Sequence, residues 1–252
     1  MGNTDSERKP SAENSEVGEL LLDERTRKTF LMWAKTEQYQ TRINESLKII
    51  TQYTTKGKCM VAFSGGKDST AVLHLALQVD PKIDVFHWNQ GSQLMPQEIQ
   101  SEVLANAKVI GAKNLIVETW KGSETKDMRE NSEKWHSAHL FHYLILNKVR
   151  KERGWNYQFI GLRKDESCKR SITVKKPRAG EVYPIAEWNY LDVWGYIVSH
   201  NLPYPKAYDL YAPLLGWDKA RFVNFFSKRF EQFGSTWMDG FVYPQYRSSP
   251  DA

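Results

Sequence analysis

Cysteine is nearly missing from this chain: Cys59 and Cys168 stand 109 positions apart in 252 residues. That spacing excludes a CxxC pair, a zinc knuckle and the disulfide framework of a small secreted domain, and it suits a reducing cytosol. Long apolar runs are missing too. No stretch approaches 18 consecutive apolar residues, and the first 18 residues are polar, without the apolar core of a secretory signal. The expectation is a cytoplasmic protein that neither crosses nor enters a membrane unaided. Charge of one sign does not dominate either. A net charge of +5 and a pI near 9.0 are mild, which favours an anionic ligand such as a nucleotide over a chromatin-like partner and leaves nucleic acid open. No internal repeat is visible.

What is present is an ordinary globular composition, 40% hydrophobic and 26% charged, long enough to bury one large core without staples. The 9 Trp and 12 Tyr exceed what a core of this size needs, so some rings are available to stack on a ligand. Residues 1–18 offer nothing to bury and are expected to be disordered. Residues 19–56 show apolar positions at helical spacing, for example Phe30, Trp33, Ile43, Leu47 and Ile50, and predict N-terminal helices.

From Cys59 onward the pattern alternates. Cys59–Phe63 has the length of a strand, Asp68–Leu77 reads as a helix, and a second strand is expected at Ile83–Trp88. A helix follows at Pro96–Ile110, a third strand at Asn114–Glu118, a helix at Ser132–Arg150 and a fourth strand at Tyr157–Ile160. Such βαβ alternation predicts an α/β fold, a doubly wound, mostly parallel sheet with helices on both faces. Residues 57–210 form this nucleotide-binding domain, with a helix near Tyr190–His200. Residues 211–252 form a mostly helical, aromatic and basic C-terminal extension.

Between the first strand and its helix stands Ser64-Gly65-Gly66-Lys67-Asp68-Ser69-Thr70. Two glycines allow the backbone to approach a ligand, and the helix N-terminus offers N–H groups to an anion. Ser64, Ser69 and Thr70 add hydroxyls. The spacing matches neither a Walker A loop nor the G-x-G-x-x-G dinucleotide fingerprint, which disfavours kinases and dehydrogenases. A plain tight turn with Asp68 as a helix-capping residue is the bland alternative.

These residues resemble the S-G-G-x-D-S signature of the PP-loop ATP pyrophosphatases, whose adenine nucleotide alpha-hydrolase-like fold cradles a pyrophosphate group during attack on the α-phosphate. Three later segments resemble the phosphoadenosine phosphosulfate (PAPS) reductase-like branch of that superfamily. They are Phe86-His87-Trp88-Asn89-Gln90-Gly91 with Met95-Pro96-Gln97-Glu98, then Gly161-Leu162-Arg163-Lys164-Asp165-Glu166-Ser167, then Pro184-Ile185-Ala186-Glu187-Trp188 with Asp192-Val193-Trp194. Asn89 and Gln90 depart from the acidic residue and Thr usual in that branch.

The resemblance implies ATP or a related adenine nucleotide as substrate, Mg²⁺ as cofactor with Asp68 as its ligand, and release of pyrophosphate. Lys67, Asp68 and Arg163 are then the catalytic candidates, with Arg163 reaching over the crevice as a bidentate phosphate ligand. Ser64, Gly65, Gly66, Ser69, Thr70, Asn89, Gly161 and Glu166 are the candidate nucleotide-binding residues, Glu166 acting through Arg163 or magnesium. Reductases of the branch use a cysteine in a C-terminal tail, and no cysteine follows Cys168 in these 252 residues. An adenylyltransferase or ATP pyrophosphatase is therefore expected. A reductase with an atypical thiol at Cys168, and an ATP-binding partner subunit of a sulfur-transfer or nucleic-acid-modification system, are the alternatives. The anionic acceptor is open, partners include a second protein or nucleic acid, and a homo-oligomer is expected.

Other features carry weaker signals. The cations between Arg163 and Arg178 suit either a flexible flap over a polyanion or a solvated loop. Trp188 and Trp194 lie at amphipathic spacing and are expected in the core. His136, His139 and His142 recur at three-residue spacing without a fourth metal donor. The rings of the tail, Trp217 to Tyr243, are interleaved with cations and fit packing, stacking or a subunit interface.

Overall fold

The computed structural model describes residues 22–89, 97–119, 144–220 and 222. Five strands, β1 Cys59–Ala62, β2 Asp84–Asn89, β3 Asn114–Thr119, β4 Tyr157–Ile160 and β5 Glu181–Val182, form one parallel sheet in the order β3-β2-β1-β4-β5. The chain winds outward from β1 to β3, then returns to β4 on the other side of β1. The order reverses between β1 and β4, and in an open α/β sheet the crevice beyond the carboxyl ends of those two strands is where ligands bind.

The described helices are α1 Glu24–Trp33, α2 Glu37–Lys56, α3 Lys67–Val79, α4 Gln97–Ile110, α5 over 144–153, α6 Cys168–Lys175, α7 Tyr190–Ser199 and α8 Ala207–Leu215. Side chains alternate across β1: Val61 joins a large apolar cluster with α3, α4 and α7, while Met60 joins Phe86, Leu146, Val149 and Trp155 under α5. Helices thus cover both faces of the sheet, the doubly wound arrangement that the alternating pattern predicts. Trp188 and Trp194 are buried within the large cluster, and Trp194 meets Trp217 edge-on with ring centroids 4.6 Å apart.

Polar contacts orient the N-terminal helices. Asp192 of α7, fully buried, accepts from Trp33 Nε1 at 2.8 Å and from Asn189 N at 2.7 Å, and it is ion-paired with Arg42. Ser46 Oγ donates to Pro184 O at 2.9 Å and accepts from Trp188 Nε1 at 2.9 Å. These contacts tie α1 and α2 to α7, so the P-I-x-x-W and D-V-W segments act here as structural anchors.

The stretch after Arg163, weighed above as a flexible flap, is a short 3-10 turn at Lys164–Glu166 followed by α6. Ser167 caps that helix by accepting from Arg170 N at 3.2 Å. A Ser N-cap and an eight-residue run without Gly or Pro make a helix the better solution for backbone hydrogen bonding than an open loop. His136, His139, His142 and the tail rings from Phe225 onward lie outside the described residues.

Candidate functional site

The Ser64–Thr70 segment lies at the carboxyl end of β1, where the strand order reverses. Gly65 takes φ +86°, a left-handed conformation, and a Cβ there would stand 2.6 Å from Val103 Cγ2. Hydroxyls knit the turn together: Ser69 Oγ accepts from Ser64 N at 3.3 Å and donates to Gly66 O at 2.9 Å, and Gly66 N donates to Ser64 Oγ at 3.4 Å. Gly66 then caps α3, whose first N–H groups have no partner within the helix.

At the end of β4, Gly161 lies against this helix start. A Cβ on it would fall 2.7 Å from both Asp68 C and Ser69 N, which are backbone atoms that cannot turn aside. Only glycine lets β4 approach so closely, and this brings the two halves of the site together.

A hollow of about 110 Å³ opens there, lined by Ser64, Gly66, Lys67, Asp68, Ser69, Gly161, Glu166, Arg170, Tyr208 and Phe222. Seven of the lining residues come from the two motifs expected to bind phosphate, Glu166 being the last of them, and the other three come from later in the chain. Gly65, Thr70, Asn89 and Arg163 are not on this lining. Gly65 shapes the turn behind it, and Asn89 ends β2. Thr70 is buried, with its hydroxyl lacking a hydrogen-bond partner.

The charges take a different arrangement from the one the motifs suggest. The Arg163 side chain is 2% exposed; its Nε donates to Asp68 Oδ1 at 2.5 Å, and it is ion-paired with Asp165. Burial alone would weaken its protonation, and the surrounding carboxylates of Asp68, Glu166 and Asp165 more than reverse that, so it stays cationic. It acts as a buried counter-ion to Asp68 rather than as a free clamp over the crevice. Lys67 is equally enclosed: Nζ lies 3.1 Å from Asp68 Oδ2 and donates to Ala220 O at 3.2 Å. Burial pushes the Asp68 carboxyl up, yet the Lys67 and Arg163 cations hold it well below the usual carboxylate range.

The arginine on the lining is Arg170, one turn after Glu166 and ion-paired with it. Glu166 is buried, its Oε2 also accepts from Arg163 N at 3.3 Å, and the Arg170 side chain keeps 37% exposure. Tyr208 closes the opposite wall, accepting from Lys67 N at 3.1 Å. The i,i+4 spacing of Glu166 and Arg170 is the one sequence signal for Arg170. Phe222 is one of the tail rings offered for stacking, whereas Tyr208 has no such signal, because it reaches Lys67 across 141 residues of chain.

Asp68 was the expected magnesium ligand, but both of its oxygens are engaged by cations, and no group of three His, Cys, Asp or Glu among the described residues could hold a metal. The described residues by themselves do not form a three-donor magnesium site. What the hollow offers is hydroxyls, a helix N-terminus and the part-exposed guanidinium of Arg170, a donor set suited to an anion about the size of a phosphate.

The chain belongs to the phosphoadenosine phosphosulfate reductase domain family, whose model matches residues 58–229. An uncharacterized protein of Methanocaldococcus jannaschii is 29% identical over 61% of the chain, which spans 34% of that relative's length. A phosphoadenosine 5'-phosphosulfate reductase of Synechococcus sp. is 24% identical over 64% of the chain and 74% of its own length. In fold, the U34-tRNA thiolase NcsA from Methanococcus maripaludis, a structure with its [4Fe-4S] cluster, superposes with a TM-score of 0.52 at 15% identity, over 67% of this chain and 66% of that one. Among the described residues, no helix is long and apolar enough to cross a membrane.

Proposed function

We propose that this protein binds ATP or a related adenine nucleotide with its phosphates in the hollow, and that it acts at the α-phosphate with release of pyrophosphate. The observation that carries the reading is the composition of the lining: Ser64, Gly66 and Ser69 at the start of α3, with Arg170 opposite. An acceptor oxygen attacks the α-phosphorus, the bond to the bridging oxygen breaks, and the electron pair leaves with pyrophosphate. The helix N-terminus and Arg170 stabilise the charge that develops on the leaving group. Such chemistry consists mainly of positioning and electrostatic stabilisation, so it needs no catalytic dyad. Lys67, Asp68 and Arg163 hold the loop as one buried ion network. The acceptor is an anionic molecule or a nucleic acid.

A second reading, a PAPS reductase with an atypical thiol, is favoured by the family's name and by one placement. Cys168 is exposed and opens α6, the helix that presents Arg170 to the hollow.

Purified protein incubated with magnesium and α-³²P-labelled ATP, alone and with sulfate, flavin mononucleotide, tRNA or DNA, is expected to release pyrophosphate with one of these acceptors. If ATP remains intact in every mixture while PAPS is reduced by a thiol donor, the adenylyl-transfer reading fails. Cys168→Ser would then abolish that reduction. Tight ATP binding that turns over only after a second protein is added identifies the chain as a partner subunit.

A further inference from the structure

Away from the hollow, at the amino ends of β4 and β5, the chain brings two basic stretches together. The end of α5 supplies Lys148, Lys151 and Arg153, and the end of α6 with the following turn supplies Lys175, Lys176 and Arg178, all exposed. With Arg150 between them, segments 144–156 and 175–181 hold seven cations against two carboxylates, Glu152 and Glu181, in the sequence. That excess of five equals the formal net charge of the entire chain, +5, so the rest of the protein is neutral overall. Glu152 lies 3.9 Å from Lys148, and Glu181 accepts from Arg178 N at 3.2 Å and from Tyr183 Oη at 2.5 Å.

This apposition is built into the fold. Arg150 donates to Trp155 O at 3.1 Å, to Asn156 O at 2.6 Å and to Ala179 O at 3.1 Å, clamping the 176–180 turn onto α5. Gly180, at φ +81°, makes the clamp feasible, since a Cβ there would stand 1.9 Å from Arg150 Nη2. Like charges gathered at a fixed spacing repel one another, and a cationic arginine committed to holding them together is the mark of a surface with a counter-charge to meet.

Eight-residue α6 joins this face to the hollow. At 1.5 Å per residue it spans about 12 Å, with Arg170 on the lining at one end and Lys175 at the other. Ile172, 63% exposed, offers apolar contact between them. We infer that this face docks a flexible, single-stranded nucleic-acid segment, its backbone phosphates on Lys151, Arg153, Lys176 and Arg178 and its path along α6 toward the hollow. A rigid duplex cannot follow that path into a recess of this size. An anionic membrane would call for an apolar face to insert, and the two exposed large apolar side chains of these segments are split, Ile172 on α6 and Leu144 at the start of α5, away from its basic end. The inference concerns a face distinct from the phosphate hollow and does not depend on the reaction there.

Fluorescence anisotropy of a labelled single-stranded RNA or DNA oligonucleotide, titrated with the full chain over a range of salt, tests it. About four phosphate contacts predict a slope of log affinity against log salt near −3. The quadruple variant K151E/R153E/K176E/R178E is expected to bind at least about tenfold more weakly with a flattened slope, while circular dichroism and the melting temperature stay those of the wild type. Should the reversal variant fail to fold, the four-glutamine version K151Q/R153Q/K176Q/R178Q carries the same expectation. Unchanged affinity and slope in the folded variant, absence of oligonucleotide binding by the wild type, or capture by phosphatidylserine vesicles in place of the oligonucleotide would each overturn the inference.

Discussion

Two aspartates of this protein are buried against arginine, and their settings differ in one respect that decides what each does. Asp192 is enclosed on every side, with Trp33, Arg42 and Asn189 filling its oxygens. Asp68 has a comparable set of partners in Lys67 and Arg163, but it lies on the wall of a hollow whose lining also carries the Ser64 and Ser69 hydroxyls and the Arg170 guanidinium. A buried carboxylate–arginine pair by itself is therefore no sign of a site. What distinguishes the second is the incomplete shell around it, open toward Ser64, Ser69 and Arg170.

The largest effect is expected at Asp68. Replacement by Ala strands two buried cations and should cost about 3–5 kcal/mol in urea unfolding, as for other broken buried pairs, together with loss of nucleotide binding. A stable Asp68→Ala protein would mean that Lys67 and Arg163 are not held by it. Next comes Gly161→Ala, which forces a Cβ onto the backbone of Asp68 and Ser69. A loss of about 1–3 kcal/mol is expected, with nucleotide affinity falling alongside, and unchanged affinity by calorimetry would detach β4 from the site.

Asp192→Asn sharpens the contrast from the closed side. An amide cannot accept all three donors, so stability should fall by about 1–3 kcal/mol while the folded protein keeps its nucleotide affinity. A change in affinity would join the two regions. Arg170→Lys is expected to do the reverse, altering stability by about 1 kcal/mol or less and weakening nucleotide binding about tenfold, because an ammonium cannot reproduce bidentate capture. Titration calorimetry and thermal melting on the same sample separate the two outcomes.

The smallest effect concerns pH. Burial, with His200 beside it, holds the His74 imidazole down at about 4, below its ordinary 6.5, so the folded protein binds fewer protons there than the unfolded chain. Its contribution is complete above about 6.5 and lost as pH falls toward 4, and melting temperatures measured across that window should decline less steeply in His74→Gln.

Much of the fold was legible locally. The alternation of short apolar runs with helical periodicity predicts β1 to β4 and the helices between them, because each element's pattern is set by which face it buries. The Ser64–Ser69 loop was equally legible, since glycine spacing before a helix start is a local demand. Arg163 was not legible in its role. Its position at a strand end suggests a ligand contact, whereas its partner Asp68 lies 95 residues away. Thr70 and Asn89 also stand within motifs, yet neither lies on the hollow, since sequence adjacency does not fix which way a side chain faces once the strand or helix is packed.

The sequence by itself determined the layer architecture and the position of the Ser64–Ser69 glycine loop, because hydrophobic periodicity and glycine placement act over a few residues. Tertiary structure alone decided which charges neutralise one another, that Tyr208 and Phe222 wall the loop, and that Arg170 rather than Arg163 is presented to the hollow. Those outcomes depend on distances between segments as far apart in the chain as Lys67 and Ala220, 153 residues, which are set by the close approach at Gly161 and by burial of the whole core, and no local pattern encodes them.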